Sequence, residues 1–557
     1  MSELTTTYPY PERGSTFFEK IELPAEIPLA EGQKKEIYNF EEPLYEKLRQ
    51  IKLVSKEVKK RSTYPEVDPP TEIRAREVFI EEFKKEFLEG DGNVENVPNP
   101  KRVVEARNTE KLLEELIGLR GFKKDLKLLA HKIVEEEKDP DLREAKLIVT
   151  DLYRRYINLQ TVERYEYGAI ITNQETKSDI DLEILKLLTP GVKGLAKEDR
   201  FAPDNASKTL QRIDRFIYGM GMHIDPFGEL HFRSVTDELE DYAEEKLKQI
   251  KPEKDEDLRV NAEQQVRLTG MLFEQSGRSN WGYILEEGRT RMDVRPSKEM
   301  GDKVLIGDKF NRTPASAVKG ASMEGVHALR IENRRNVFEG NLRLYEKYAG
   351  RYSALMAAAE EYVAGRATEV FGSQKWEAMP YIYAIVKKRS QGASFREGFI
   401  AGIEARAKLA GKNVTDFVRD AKDTTLEGTF ANTLSVWGRS ADLEEYSSNV
   451  AHTGELSYLE GELIAKKLEG TELWPILFLS GPDLYTICDL TRLGFADFRK
   501  AKALDMSFMD KVVVPFKEEL DRRRKKDASD KEKKRIVDEA LDSLEKRLHI
   551  QVPNLST

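Results

Sequence analysis

A predominantly helical α+β fold follows from three features of the sequence. Apolar residues recur at spacings of three and four between 108 and 159, in KLLEELIGL, DLKLLAHKIVEEE and REAKLIVTDLYRRYINL, the period of an amphipathic helix. The same period returns over 236–250 and 260–275, and again from about residue 311 almost to the end. The clearest β pattern lies in NWGYILEEGRTRMDVRPS and KVLIGDKF, where Met292, Val294, Val304 and Ile306 alternate with polar neighbours. That alternation predicts half-buried strands in a small antiparallel sheet.

The segments before and after this region differ in character. Residues 1–100 are rich in proline and acidic side chains and predict one helical stretch, near 43–60. PAEIPLAEG and YPEVDPPTEI break helical continuation, because proline lacks an amide and clashes with the preceding turn. EGDGNVENVPNPKR, at 89–102, combines Gly, Asn and Pro as linkers do. Strand or loop character is expected at 165–172 and 224–234. Residues 101–260 are read as a helical part, 261–510 as the region that carries the chemistry, and 511–557 as a charged, solvated helical tail.

Composition narrows the function classes. The chain has 557 residues, with 91 Lys and Arg against 100 Asp and Glu, a net charge of −9. Phosphate binding needs a basic face, so a general nucleic-acid binder is not expected. Cys488 is the only cysteine, which excludes an intramolecular disulfide and a cysteine-based zinc cluster. Its setting, LYTICDLTRLG, reads as a buried inert thiol. The first residues lack the basic and apolar regions of a secretory signal, and the most apolar run, near 473–479, is far below the ~18 residues a membrane span needs. A cytoplasmic protein without a membrane partner is expected. Phosphate-loop, dinucleotide and serine-hydrolase motifs are absent from the sequence.

The histidines are then the place to look. His131 and His549 sit on charged helices and read as surface residues, while His223 and His231 flank the turn DPFGE at a spacing that would allow a metal. His452 opens the segment HTGELSYLEGELIAKKL. His327 has the fullest context. A β stretch precedes it, a helix carries it in KGASMEGVHALRIENRRN, and Glu360 and Glu361 follow on a later helix. That is the layout of zinc hydrolases using two histidines and one glutamate. A single helical histidine is more commonly a hydrogen-bonded packing residue. The E-x-x-H pair Glu324 and His327 shares one helix face and offers a mixed site with Glu360 or Glu361.

At these residues the chain resembles the microtubule-associated tyrosine carboxypeptidases and their bacterial relatives, which share a tyrosine/phenylalanine carboxypeptidase domain. That family carries H-E-x-x-x-H-x-L-R on one helix and T-E-E-G-L-A on a later one. S-M-E-G-V-H-A-L-R and A-E-E-Y-V-A are similar to them, and GASFREGF, HTGELSYLEGELIAKKL and WPILFLSGPDLYTICDLTRLG follow in the family's order, the whole covering roughly 110–510. The resemblance implies a zincin-like metallopeptidase domain over 261–510, zinc as cofactor, and a peptide or protein C-terminus as partner. It makes His327 and Glu361 zinc ligands, with Ser322 at the lost first ligand, Met323 at the general base and Tyr362 in place of a glycine. A hydroxyl is a poor zinc ligand and a thioether takes no proton from water. The expectation is therefore a carboxypeptidase-like protein without an intact catalytic set, still able to hold a peptide C-terminus. Arg289, Arg291, Arg330 and Arg439 are candidate carboxylate clamps. Two alternatives stay open: an active metallopeptidase using Glu324, His327 and Glu361, with Glu360 as a further ligand, or a helical scaffold without catalysis. The double change Ser322→His and Met323→Glu rebuilds the ligand set only if the helix bulges, because residues five apart point about 140° from each other.

Overall fold

In a computed structural model, the described residues are mainly 25–57, 69–89, 109–162, 177–188, 258–296, 301–338, 354–371, 379–437, 489–497, 500–524 and 528–550, with short pieces between them. His223, His231, Arg439, Cys488 and most of 165–176 and 452–468 lie outside them. The protein is predominantly helical, with three small sheets among the described residues. No helix among the described residues is long and apolar enough to cross a membrane.

The described residues of the first hundred form two helices, α1 (Glu31–Glu57) and α2 (Pro69–Glu89), where one was expected. The prolines of YPEVDPPTEI are the reason: α2 begins on them, and the first turn is where proline costs no hydrogen bond and presets φ. Both helices are built into the protein. Ile37, Leu44 and Leu48 of α1 enter the main core, while Phe79 and Phe83 of α2 enter a second one. Next come α3 (Thr109–Glu136), α4 (Pro140–Val162) and α5 (Asp179–Leu188), so the helical period read over 108–159 corresponds to α3 and α4.

The short strands β1 (Phe232–Arg233) and β2 (Val260–Asn261) lead to α6 (Ala262–Gln275). Then β3 (Gly282–Glu286), β4 (Met292–Arg295) and β5 (Lys303–Gly307) form a sheet in the order β3-β5-β4. Met292 and Val294 face the core while Asp293 and Arg295 face out, as the alternation predicted. β4 pairs antiparallel with β5, but β3 pairs with the other edge of β5 in parallel. The sheet is therefore mixed rather than antiparallel, because β4 intervenes between β3 and β5 and returns the chain to its starting direction.

Strand β6 (Asn311–Arg312) pairs with β2, and each strand runs straight into a capped helix. Asn261 forms a capping box with Gln264 at the start of α6. Thr313 caps α7 (Pro314–Val337), accepting from the Ser316 amide, with Pro314 in the first turn. The little β2–β6 ladder thus starts α6 and α7 side by side. α8 (Ala354–Glu369) is the helix α7 packs against most extensively. Ala359, Val363 and Ala367 of α8 and Ala321, Ala328 and Gly325 of α7 are buried, small residues that permit close approach.

The second core gathers α9 (Met379–Ser390), α10 (Phe395–Leu409), α11 (Val414–Asp420) and α12 (Asp423–Val436) around α2. GASFREGF supplies the Ser394–Glu397 capping box of α10 and two rings, Phe395 and Phe399, set edge-on to Phe79 at 5.6 and 5.1 Å. β7 (Ala451–His452) pairs with β1. The last helices, α13 (Val514–Arg523) and α14 (Asp530–Leu548), are not a solvated tail. Ile536, Val537, Ala540, Leu541 and Leu544 form a buried stripe at helical spacing, and Arg267 of α6 reaches Glu545 and Asp542 at 2.6 and 2.5 Å. His131 and His549 are exposed, as expected.

One buried carboxylate joins α1, α4 and the 342–344 segment. Glu41 accepts the Leu344 and Arg343 amides at 2.9 and 3.0 Å and the Tyr153 hydroxyl at 3.1 Å. Burial nevertheless pushes its carboxyl above the ordinary value. The folded state thus binds that proton more tightly than the unfolded chain, and stability is lost as pH rises from the ordinary carboxylate range of about 4. Glu41→Gln should therefore gain in urea midpoint relative to the wild type as pH rises above about 4; a difference flat across that rise overturns the assignment.

Candidate functional site

The α7–α8 seam holds the residues the sequence singled out. His327 lies about midway along α7, with Glu324 three residues before it and Arg330 three after, all on one face. Glu360 comes from α8. His327 Nδ1 is 3.2 Å from Glu324 Oε2, and its Nε2 is 2.9 Å from Glu360 Oε1. The Arg330 guanidinium donates to the same Glu360 oxygen. Glu324, Arg330 and Glu360 are buried at 8%, 4% and 5% exposure, whereas the His327 side chain is 23% exposed. A row Glu324–His327–Glu360–Arg330 therefore crosses the seam, its histidine open to solvent on one side.

The elements that hold this row are tightly fixed. Fully buried Asn333 donates to the Phe478 and Lys502 carbonyls at 3.0 and 2.8 Å and accepts from the Lys502 amide at 2.8 Å. Asp302 receives Arg335 through both guanidinium nitrogens. On the α8 side, Tyr362 stacks edge-on to Trp474 at 6.0 Å and its hydroxyl donates to Glu469. Tyr362 is thus a packing residue, and burial raises its hydroxyl well above the ordinary range.

Of the positions expected at a metal site, the described side chains keep Ser322 apart from His327. Ser322 is buried, and its Oγ has no hydrogen-bond partner among the described residues. α7 is an unbroken α-helix from Pro314 to Val337, so Ser322 points about 140° away from His327. The bulge that would bring positions 322 and 327 together is not there. Glu324 and Glu360 address opposite nitrogens of the ring, so they do not converge on one point. Glu361 lies next to Glu360 on α8, and its side chain is outside the described residues. Among the described residues no group of three or more His, Cys, Asp or Glu side chains could hold a metal ion. Zinc normally takes three protein donors, and here a guanidinium already supplies positive charge to Glu360. Ser322, Glu324, His327 and Glu360 by themselves do not make a zinc centre.

Of the four candidate clamps, Arg330 is committed to Glu360. Arg289 pairs with Glu286 at 2.8 Å in the turn before β4. Arg291 is exposed, and its neighbour Met292 packs beside Gly320 of α7. The sequence missed how Arg330 is used. Its signal was the three-residue spacing from His327, which sets guanidinium and imidazole on one face and lets them share a carboxylate.

The orphaned hydroxyl has a direct consequence. Ser322→Ala removes an unsatisfied buried group and improves helix propensity. It should raise stability by roughly 0.5–1 kcal/mol, read from the urea midpoint, and any loss of stability would mean the hydroxyl has a partner.

No protein-family model matches the chain, and a comparison with curated proteins finds no match. The resemblance therefore rests on the quoted motifs and their spacing.

Proposed function

We propose that the chain is a degenerate relative of the tyrosine/phenylalanine carboxypeptidases, one that holds a peptide C-terminus without cleaving it. The observation that carries this reading is the pairing across the α7–α8 seam. The histidine helix and the glutamate helix pack against each other, and Glu360, the neighbour of the expected ligand Glu361, lies 2.9 Å from His327 Nε2. The third donor and the base are missing, at Ser322 and Met323, and Arg330 holds the charge balance that a metal ion supplies in the family. Such a site binds a chain end through charge and fit and has nothing to activate water.

Among the described clamps Arg291 suits the terminal carboxylate. It is exposed, has no ion pair among the described residues, and stands beside the strand that packs on α7. A guanidinium grips a carboxylate through two parallel hydrogen bonds. The test is calorimetric: a peptide ending in free Phe should bind about tenfold or more tightly than its amidated form, a difference of ~1.4 kcal/mol or more. Arg291→Ala should abolish that difference, and no tyrosine or phenylalanine should be released. Equal binding of both peptides would reject C-terminal recognition, and released amino acid would reject the loss of catalysis.

A further inference from the structure

A second candidate surface lies on other elements and shares no residue with α7 or α8. It is a groove of about 810 Å³ between α3, α4, α5 and residues 200–201. Its lining holds Arg120, Lys123, Lys124, Lys127, Arg154 and Arg200, against one acid, Glu183. In a chain of net charge −9, that is a local inversion of sign. Arg120, Lys124 and Lys127 have no ion pair among the described residues.

The exposed face of α3 is apolar as well as basic. At 100° per residue, Ile117, Lys124 and Leu128 fall within about 20° of one line, with Arg120, Lys127 and His131 along one flank. Ile117 and Leu128, one at each end of this line, are 53% and 60% exposed. From Ile117 to Leu128 the stripe is about 16 Å long, which an extended chain covers with roughly five residues.

The opposite wall is fixed by buried groups. Asp151, wholly buried, accepts the Phe201 amide at 3.0 Å and the Ala202 amide at 2.8 Å, tying residues 200–202 to α4. Arg200 is held by Asp489 at 2.6 Å. The Arg154 guanidinium covers the Phe201 ring at 4.8 Å and is anchored by Asp151 at 3.0 Å. The groove is therefore preformed, which lowers the ordering cost of binding.

We propose that this groove docks an acidic peptide segment of another protein, one whose carboxylates alternate with apolar side chains. Exposed leucine and isoleucine beside unpaired cations match such a segment in both charge and hydrophobicity. A single nucleic-acid strand fits less well. It needs aromatic faces to stack on, and the Phe201 ring of the groove is already covered by Arg154. A lone phosphate fits less well too, because the helix cations spread along about 10 Å and mid-helix amides are bonded internally.

Fluorescence anisotropy on the full chain at low salt tests this. The probes are a labelled peptide alternating Glu with Leu, about five to eight residues long, its Lys-for-Glu counterpart and a single-stranded oligonucleotide of equal charge. The acidic peptide should bind best. Lys124→Glu with Lys127→Glu should weaken it about tenfold or more, Leu128→Ser about threefold or more, and Lys531→Glu with Lys546→Glu, a matched charge change on exposed α14 positions, should leave it unchanged. If the charge reversal perturbs folding, Lys124→Gln with Lys127→Gln should still weaken binding several-fold. Equal losses in groove and control variants, tight oligonucleotide binding, or indifference to the sign of the peptide would each overturn the proposal.

Discussion

Glu360→Leu is expected to cost about 3–5 kcal/mol of folding stability, because it removes the carboxylate to which a buried guanidinium donates. Glu360 is the acceptor for both Arg330 and His327 Nε2, and Arg330 is only 4% exposed. Removing the carboxylate takes a charge-assisted acceptor away from a guanidinium that has surrendered most of its water. The contrast is Lys84 and Asp423, an ion pair whose side chains are 31% and 73% exposed; breaking that pair should cost less than about 1 kcal/mol. Chemical unfolding of the single variants and of Glu360→Leu/Arg330→Met completes the test. The double variant should recover most of the loss, since a buried ion pair is often replaced by apolar side chains at little cost. A Glu360→Leu loss below about 1 kcal/mol would mean that water reaches Arg330 and that the row is not a buried network.

Parts of this architecture were legible because their signals are local. The alternation of Met292 and Val294 gives β4 its inward and outward faces, and Thr313–Pro314 marks the start of α7 through cap chemistry alone. The misread elements needed information from elsewhere in the chain. The prolines before α2 look like a break unless the helix begins on them. The buried stripe of α14 is outnumbered by its charges, so it reads as solvated until α6 and α13 are seen to cover it. β3 joins the far edge of β5 by a parallel pairing that no neighbouring residue signals.

The same division runs through the site. That His327 would meet a glutamate from α8 follows from the order of the motifs. Which of two adjacent glutamates it meets depends on the rotation of α8, about 100° between Glu360 and Glu361, and sequence spacing cannot fix that angle. The commitment of Arg330 to Glu360 depends on the same rotation. Its consequence is chemical, since the arginine that looked available for a substrate carboxylate is spent on a protein one.

Met323→His, rather than the pair Ser322→His and Met323→Glu, is the change expected to give this protein a zinc ion. On an unbroken helix, positions 323 and 327 lie one turn apart on the same face, whereas 322 points about 140° from 327. Histidines at 323 and 327 with Glu360 would supply the three donors that zinc requires. His327 is already prepared for the role: Glu324 holds its Nδ1 at 3.2 Å and leaves Nε2 facing Glu360, the outer-shell arrangement that orients metal-binding histidines. Arg330 opposes the change, because zinc must displace it from Glu360. Adding Arg330→Met should therefore tighten binding further. Metal analysis after equilibration with zinc should find about one ion per chain in Met323→His and little in the wild type. Melting temperature should rise with zinc for that variant alone, as ligand linkage demands. Comparable zinc in Ser322→His/Met323→Glu would show that α7 bulges between 322 and 327 after all. That outcome would reject the straight-helix account of the missing metal centre. A folded Met323→His protein that stays metal-free even with Arg330→Met would reject Glu360 as an accessible donor.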